Sequence, residues 1–189
     1  MEFEITKKAK RNTLLIAGGG LLLTLIGIIT NFDDHHFMTR FMASGLINTF
    51  YFFAIGLGAL FFLALAYATE TGWYAAVKRV IEAVAGFLPY GIGLFGIVLL
   101  VITMMDGAHI YSWMDPEVVA HDEMIEGKSA YLNKPFFWIR TVVYFAVYLI
   151  FLNGFRKRSL EEDKIGGTEL HFKNYRRGAL FLVFFAVFS

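Results

Sequence analysis

Cysteine is absent from this chain of 189 residues, and charged residues make up only 17% of it. The lack of cysteine excludes disulfide bonds, cysteine-ligated zinc, iron–sulfur ligation and covalent attachment of c-type haem to this chain. The 17 Lys and Arg residues nearly balance the 16 Asp and Glu residues, so no basic field exists for binding nucleic acid. The chain has an excess of apolar residues, and these are the main evidence for its fold and function.

Hydrophobic residues make up 57% of the chain, and 21 of them are phenylalanine. A soluble domain of this length cannot bury so much apolar surface, whereas a lipid bilayer can take it up. The apolar residues fall into runs, and the first four of these reach the roughly 20 residues that a helix needs to span a membrane. The runs cover residues 12–32, 41–69, 83–105, 136–155 and 178–189.

These runs predict an all-α, multi-pass transmembrane bundle that forms a single domain over residues 1–189. We expect four complete helices and a truncated fifth, so that the protein would continue beyond the last residue of the chain. The first run is too long for a signal peptide and is predicted to be a retained helix. The predicted helices are 12–32, 41–69, 83–106, 136–155 and 178–189, with an outer loop at 107–135 and an inner loop at 156–177.

The loops that join these helices differ in basic charge. Thirteen Lys and Arg residues lie in the N-terminal arm and in the loops on the same side, whereas only three lie in the loops on the other side. Basic loops stay in the cytoplasm, so the pattern predicts a cytoplasmic N-terminus. Every loop agrees with this one orientation.

The sequence context favours none of three kinds of binding site: a dinucleotide site, a haem site and a metal site. The glycines of 91–96 match a dinucleotide-binding pattern, but they lie inside an apolar run with no preceding strand, so close helix packing explains them better. No histidine lies within an apolar run, which argues against a haem held by this chain. Asp33, Asp34, His35 and His36 could bind a divalent metal, although a solvated turn is the favoured interpretation and their role stays open.

The best candidate site from the sequence lies at the outer ends of the third and fourth helices. Asp106 and His109 are three residues apart and share a helix face if the helix continues that far, and Arg140 enters the membrane at a similar depth. A charge at that depth is costly unless it is paired, so we expect an Asp106–Arg140 pair, either fixing helix register or lying on a proton path with His109.

A second candidate, Glu82, lies at the inner side. Lys78 stands four residues before it, so the two side chains could form a simple surface pair. The alternative interpretation places Glu82 at the mouth of an inner half-channel for protons.

Several short motifs between residues 72 and 140 resemble those of the ActF membrane subunits of bacterial alternative complex III, a respiratory quinol:electron-acceptor oxidoreductase. The resemblance covers a little over a third of the chain. It is carried by GWY at 72–74, RVIEA at 79–83, LP-x-G at 88–91 and GKSAYLNKPFFWIR at 127–140.

The resemblance implies a helical membrane subunit related to polysulfide-reductase-type membrane anchors, which are built from paired four-helix bundles. It implies a chain in the bacterial inner membrane that is not itself catalytic, binds no cofactor, supports assembly and takes part in proton translocation. Haem c and iron–sulfur clusters would belong to partner subunits, and quinol to a homologous membrane subunit. The expected partners are therefore these membrane and periplasmic subunits and lipids, with no nucleic acid.

The chain departs from that family in length, since a full subunit would have roughly twice as many helices. Two other functions therefore stay open from the sequence. The chain could be half of a small-solute or ion transporter, which inverted repeats would favour, or a purely structural membrane scaffold.

Overall fold

The computed structural model describes residues 6–31, 36–105, 110–166 and 168–188, and within these ranges the chain forms helices and turns with no strand. The chain divides into two compact units, residues 1–41 and 42–189, where the sequence predicts one domain. The α-helices are α1 (Lys7–Thr30), α2 (Phe37–Ala68), α3 (Lys78–Ala85), α4 (Leu88–Met104), α5 (Pro116–His121), α6 (Glu123–Glu126), α7 (Lys134–Ile165) and α8 (Glu169–Phe188).

Four stretches of helix are long and apolar enough to cross a membrane: α1, α2, α3 together with α4, and α7. Helix α1 alone, with 24 residues, is about 36 Å long, which exceeds the thickness of the hydrocarbon layer. The predicted fold class, an all-α multi-pass bundle, is therefore confirmed.

The first unit contains α1, which begins after the capping residue Thr6. The Thr6 hydroxyl accepts a hydrogen bond from the Ala9 amide, which satisfies one of the free donors of the first turn. No residue of α1 is buried, and nothing lies within 4 Å of the Cβ position at Gly18, Gly19 or Gly20. These three glycines therefore make no close helix contact with the described residues of the first unit.

In the second unit, α2 is packed closely by α4 and α8 at positions that require glycine. A Cβ on Gly56 would lie 3.0 Å from the Leu88 Cα, and one on Gly178 would lie 2.6 Å from the Ala64 carbonyl oxygen. The same holds for Gly91, whose Cβ would lie 3.1 Å from the Phe53 Cα. Small residues let helix backbones approach in this way, so the packing interpretation is confirmed for Gly91, whereas no described atom lies within 4 Å of the Cβ position at Gly93.

The core of this unit is rich in aromatic rings. Phe53 stacks on Phe95 with ring centroids 5.3 Å apart, and Tyr67 stacks on Phe155 at 5.5 Å. The buried side chains come from α2, α3, α4, α7 and α8 together with the turn at Gly72–Ala76. This packing brings the basic ends of α3, α7 and α8 to one end of the unit.

The third predicted helix is interrupted between α3 and α4, at residues 86–87. Pro89 stands in the first turn of α4, where its missing N–H costs nothing because first-turn amides have no partner within the helix. The break separates the short polar helix α3 from the apolar helix α4.

The predicted inner loop, residues 156–177, is mostly helical in the structure. Helix α7 continues to Ile165 and ends at Gly166, whose φ of +70° suits glycine, and α8 already begins at Glu169. Charged side chains mark where a helix leaves the membrane, but Lys, Arg and Glu are good helix formers and do not end it. The predicted boundaries were wrong here for that reason.

Candidate functional site

Six polar side chains gather at the basic end of the second unit, where α3 meets α7. We call them the polar cluster. Its members are Lys78, Arg79, Glu82, Ser159, Glu162 and Asp163. Two ion pairs, Lys78–Glu162 and Arg79–Asp163, join α3 to α7.

Arg79 is the centre of the polar cluster. Its Nη1 atom lies 2.5 Å from the Glu82 Oε2 atom and donates to the Ser159 hydroxyl at 3.3 Å. Its Nη2 atom contacts the Asp163 carboxylate and the Ser159 carbonyl oxygen. One guanidinium therefore joins α3 to two successive turns of α7, which its fixed fork of donors allows.

Glu82 is buried, with only 7% of its side chain exposed. Its Oε2 atom is paired with Arg79, whereas its Oε1 atom has no hydrogen-bond partner among the described residues. Leaving a buried acceptor unsatisfied costs about 1–3 kcal/mol, and such a group often marks a functional site or an unseen ligand. The interpretation of Glu82 as one half of a surface pair is therefore wrong.

Lys78 pairs with α7 rather than with Glu82. Its Nζ atom donates to the Glu162 Oε2 atom at 2.9 Å, and both side chains are largely buried. His171 on α8 lies 4.0 Å from the other oxygen of Glu162. This second pair ties α3, α7 and α8 together beside the first.

Two tyrosines extend the buried polar region. The rings of Tyr67 and Tyr74 lie edge to face at 5.5 Å, and both hydroxyls are buried without a partner in the described part of the chain. Burial raises the pKa of Tyr74 well above its usual range, and neighbouring Tyr67 and the charges of Glu82 and Glu162 add to this. Tyr74 therefore stays neutral at physiological pH.

Two cavities border the polar cluster. One, of about 420 Å³, lies between α3 and α7 and is lined by Arg79, Glu82, Ala83, Gly86, Arg156 and Leu160. The other, of about 440 Å³, lies on the far side of Arg79, and its lining includes Tyr74, Lys78, Glu162 and His171. Water or a small polar group can therefore approach the cluster from either side.

The other candidate residues do not gather here. Arg140 lies near the opposite end of α7, where its guanidinium stacks 3.8 Å from the Tyr131 ring centre and 4.7 Å from that of Phe136. It also donates to the Tyr131 carbonyl oxygen at 3.3 Å. Asp106 and His109 lie outside the described residues, so the Asp106–Arg140 pair stays a prediction.

The possible metal site at residues 33–36 also stays untested. Asp33, Asp34 and His35 lie outside the described residues, so the choice between a metal site and a turn stays open. Over the ranges that the structure describes, no group of three or more His, Asp or Glu side chains has the geometry to hold a metal ion.

The α7 members of the polar cluster were not predicted from the sequence; they are Ser159, Glu162 and Asp163. Their spacing of three and four residues would place them on one helix face, but this signal is visible only if residues 156–165 are taken as helix.

Comparisons with known proteins add nothing to this geometry. No protein-family model matches the chain, and no curated protein shows significant similarity to it.

Proposed function

We propose that this chain is a non-redox integral membrane subunit of a bacterial respiratory complex that oxidises quinol, of the alternative complex III type. The support is the coincidence of two independent features. The motifs that resemble the ActF subunits include Arg79, Glu82 and Gly91, and the structure uses these same residues to join α3 to α7 and α4 to α2.

In this role the chain holds other subunits in the bacterial inner membrane. Haem c and iron–sulfur clusters would lie in partner subunits, and quinol would bind to a homologous membrane subunit. The exposed apolar surface of α1, where Ile16 is 77% exposed and Leu23 is 72% exposed, is suited to lipid or to a partner helix.

The subunit role is tested by isolating the tagged chain in mild detergent from its native membrane. We expect multi-haem and iron–sulfur subunits to co-purify in fixed stoichiometry, with quinol-oxidising activity in the same fraction. A tagged, unrelated multi-pass protein from the same membrane serves as the control. Recovery of the chain only as a homo-oligomer would contradict the proposal.

The second part of the proposal is that the chain conducts protons, with Glu82 as the proton-accepting group on the cytoplasmic side. The observation that carries it is a buried carboxylate with one unpartnered oxygen beside a cavity. Buried ionisable groups at the ends of membrane helices commonly mark proton paths.

Proton conduction is tested in liposomes that contain the intact complex, by measuring protons moved per quinol oxidised. We expect Glu82→Gln to lower this ratio and Glu82→Asp to restore it in part. Asp163→Asn is the matched control, because Asp163 contacts the same arginine but is 56% exposed. An unchanged ratio in a fully assembled Glu82→Gln complex would remove the proton role and leave the subunit role standing.

A further inference from the structure

The cavity beside Glu82 contains a cation that nothing in the described protein neutralises. Arg156 lines the cavity from α7, and its Nη1 atom lies 3.7 Å from the position that a Cβ on Gly86 would take. Its side chain is exposed, and it makes no ion pair or hydrogen bond within the described ranges. The second arginine of the cavity, Arg79, is instead occupied by two carboxylates and a serine.

The same cavity contains a carboxylate with one oxygen that lacks a donor in the residues that the structure describes. Glu82 forms part of its wall, is 7% exposed, and leaves its Oε1 atom without a partner in the described structure. Over the described part of the chain, the cavity thus presents an arginine without an ion pair and a carboxylate with one oxygen that lacks a donor.

We propose that this cavity binds the headgroup of an ethanolamine phospholipid from the leaflet at the basic end. The phosphate would bind the Arg156 guanidinium, whose planar fork of donors matches phosphate oxygens. The ammonium group, with three N–H donors, would bind the carboxylate of Glu82. Leu160, which is 46% exposed at the wall of the cavity, would contact the acyl chains.

Charge complementarity favours the ethanolamine headgroup over the choline and glycerol headgroups. A choline headgroup carries the same charges but has no N–H donor for a carboxylate, and a glycerol headgroup brings a net negative charge with no cation for Glu82. Basic pockets between membrane helices bind anionic lipid headgroups, and the carboxylate of Glu82 beside Arg156 makes this cavity suited instead to a headgroup that also carries a cation. The inference goes beyond the proposed function and holds whichever complex the chain belongs to.

The test uses the purified protein with any subunits that accompany it, stripped of lipid and reconstituted in nanodiscs of equal parts ethanolamine, choline and glycerol phospholipids. Native mass spectrometry then counts the lipids that remain bound. We expect the ethanolamine lipid to be retained about tenfold over the choline lipid, which corresponds to one charge-assisted hydrogen bond.

Variants assign the contacts. Arg156→Gln should lower retention of the ethanolamine lipid about tenfold, whereas Lys157→Gln, which removes a neighbouring exposed charge, should leave it unchanged. Glu82→Gln should remove the preference for ethanolamine over choline. Ala83→Leu, which narrows the cavity without changing a charge, should lower retention of both lipids.

Equal retention of the ethanolamine and choline lipids, a preference for the glycerol lipid, or normal retention by a folded Arg156→Gln variant would each overturn the proposal. A negative result in the proton experiment would leave the lipid proposal standing. Arg156→Gln leaves Glu82 and its ion pair in place, so it tests lipid binding separately from proton transfer. If Glu82→Gln does not fold, the comparison of Arg156→Gln with Lys157→Gln still decides the question.

Discussion

The two ends of α7 hold their basic side chains in different ways. At the basic end, Arg79 and Lys78 reach across to Ser159 and Glu162, residues 80 and 84 positions further along the chain. At the other end, Arg140 is held by Tyr131 and Phe136, which lie within nine positions of it. The first arrangement depends on how helices pack, whereas the second is nearly a local property of the sequence.

This difference bears on what each end can do. Lys78 and Arg79 of α3 join their helix to Glu162 and Ser159 of α7, so losing either contact affects the bundle. An arginine stacked on neighbouring aromatic rings stabilises mainly the start of its own helix, by about 0.5–2 kcal/mol. The predictions below test this contrast.

We expect the largest effect from Arg79→Met, which leaves the buried carboxylate of Glu82 without its cation. Removing one partner of a buried pair costs about 3–5 kcal/mol, and partial exposure of Arg79 reduces this to about 2–3 kcal/mol. Reversible unfolding in detergent micelles measures the loss. Arg176→Met, which removes an exposed arginine at the same end, should change the free energy of unfolding by less than about 0.5 kcal/mol.

Arg140→Met should cost about 1 kcal/mol, because it removes the two ring contacts and one hydrogen bond to a carbonyl group. Arg140→Lys should recover part of this, since it keeps the charge but loses the planar stacking. The same unfolding measurement applies. A loss as large as that of Arg79→Met would contradict the contrast between the two ends and would favour the predicted pair with Asp106.

Tyr74 provides a pH test of the basic end. Because its pKa is raised in the folded protein, its contribution to stability is complete below its ordinary pKa of about 10 and is lost as the pH rises above that value. We expect the free energy of unfolding to fall more steeply above pH 10 in the native protein than in Tyr74→Phe. Identical slopes would show that the phenol is not shielded as described.

The smallest effect is expected at the start of α8, where Lys173 pairs with Glu169 at 2.7 Å on the protein surface. The lysine lowers the pKa of Glu169, so any stabilisation is present at neutral pH and disappears as the pH falls through the carboxylate range. Both side chains are exposed, and we expect Lys173→Gln to leave the unfolding transition unchanged. A clear shift would mean that this helix end is less solvated than its exposure indicates.

The membrane-spanning segments were predictable because they are a local property of composition. Residues 41–69 predicted α2 to within a few positions. The polar cluster was predictable only in part. Glu82 was singled out, but its partner was expected to be Lys78.

The missed partners have a common physical reason. Ser159, Glu162 and Asp163 lie in a charged stretch that the sequence indicates to be outside the membrane, and charge by itself does not distinguish a loop from an extended helix. Whether such residues meet α3 depends on the packing of α2, α4 and α8, which no pattern within residues 156–165 reports.

The sequence by itself determined that this is an all-α chain with four helices long and apolar enough to cross a membrane, because hydrophobicity acts within each segment. Only the tertiary structure decided which carboxylate pairs with which cation. The approach of Gly91 to Phe53 and of Gly178 to Ala64 sets how closely the helices pack. That packing brings the Arg79–Glu82 pair of α3 to Ser159 of α7, although 80 residues separate the arginine from the serine.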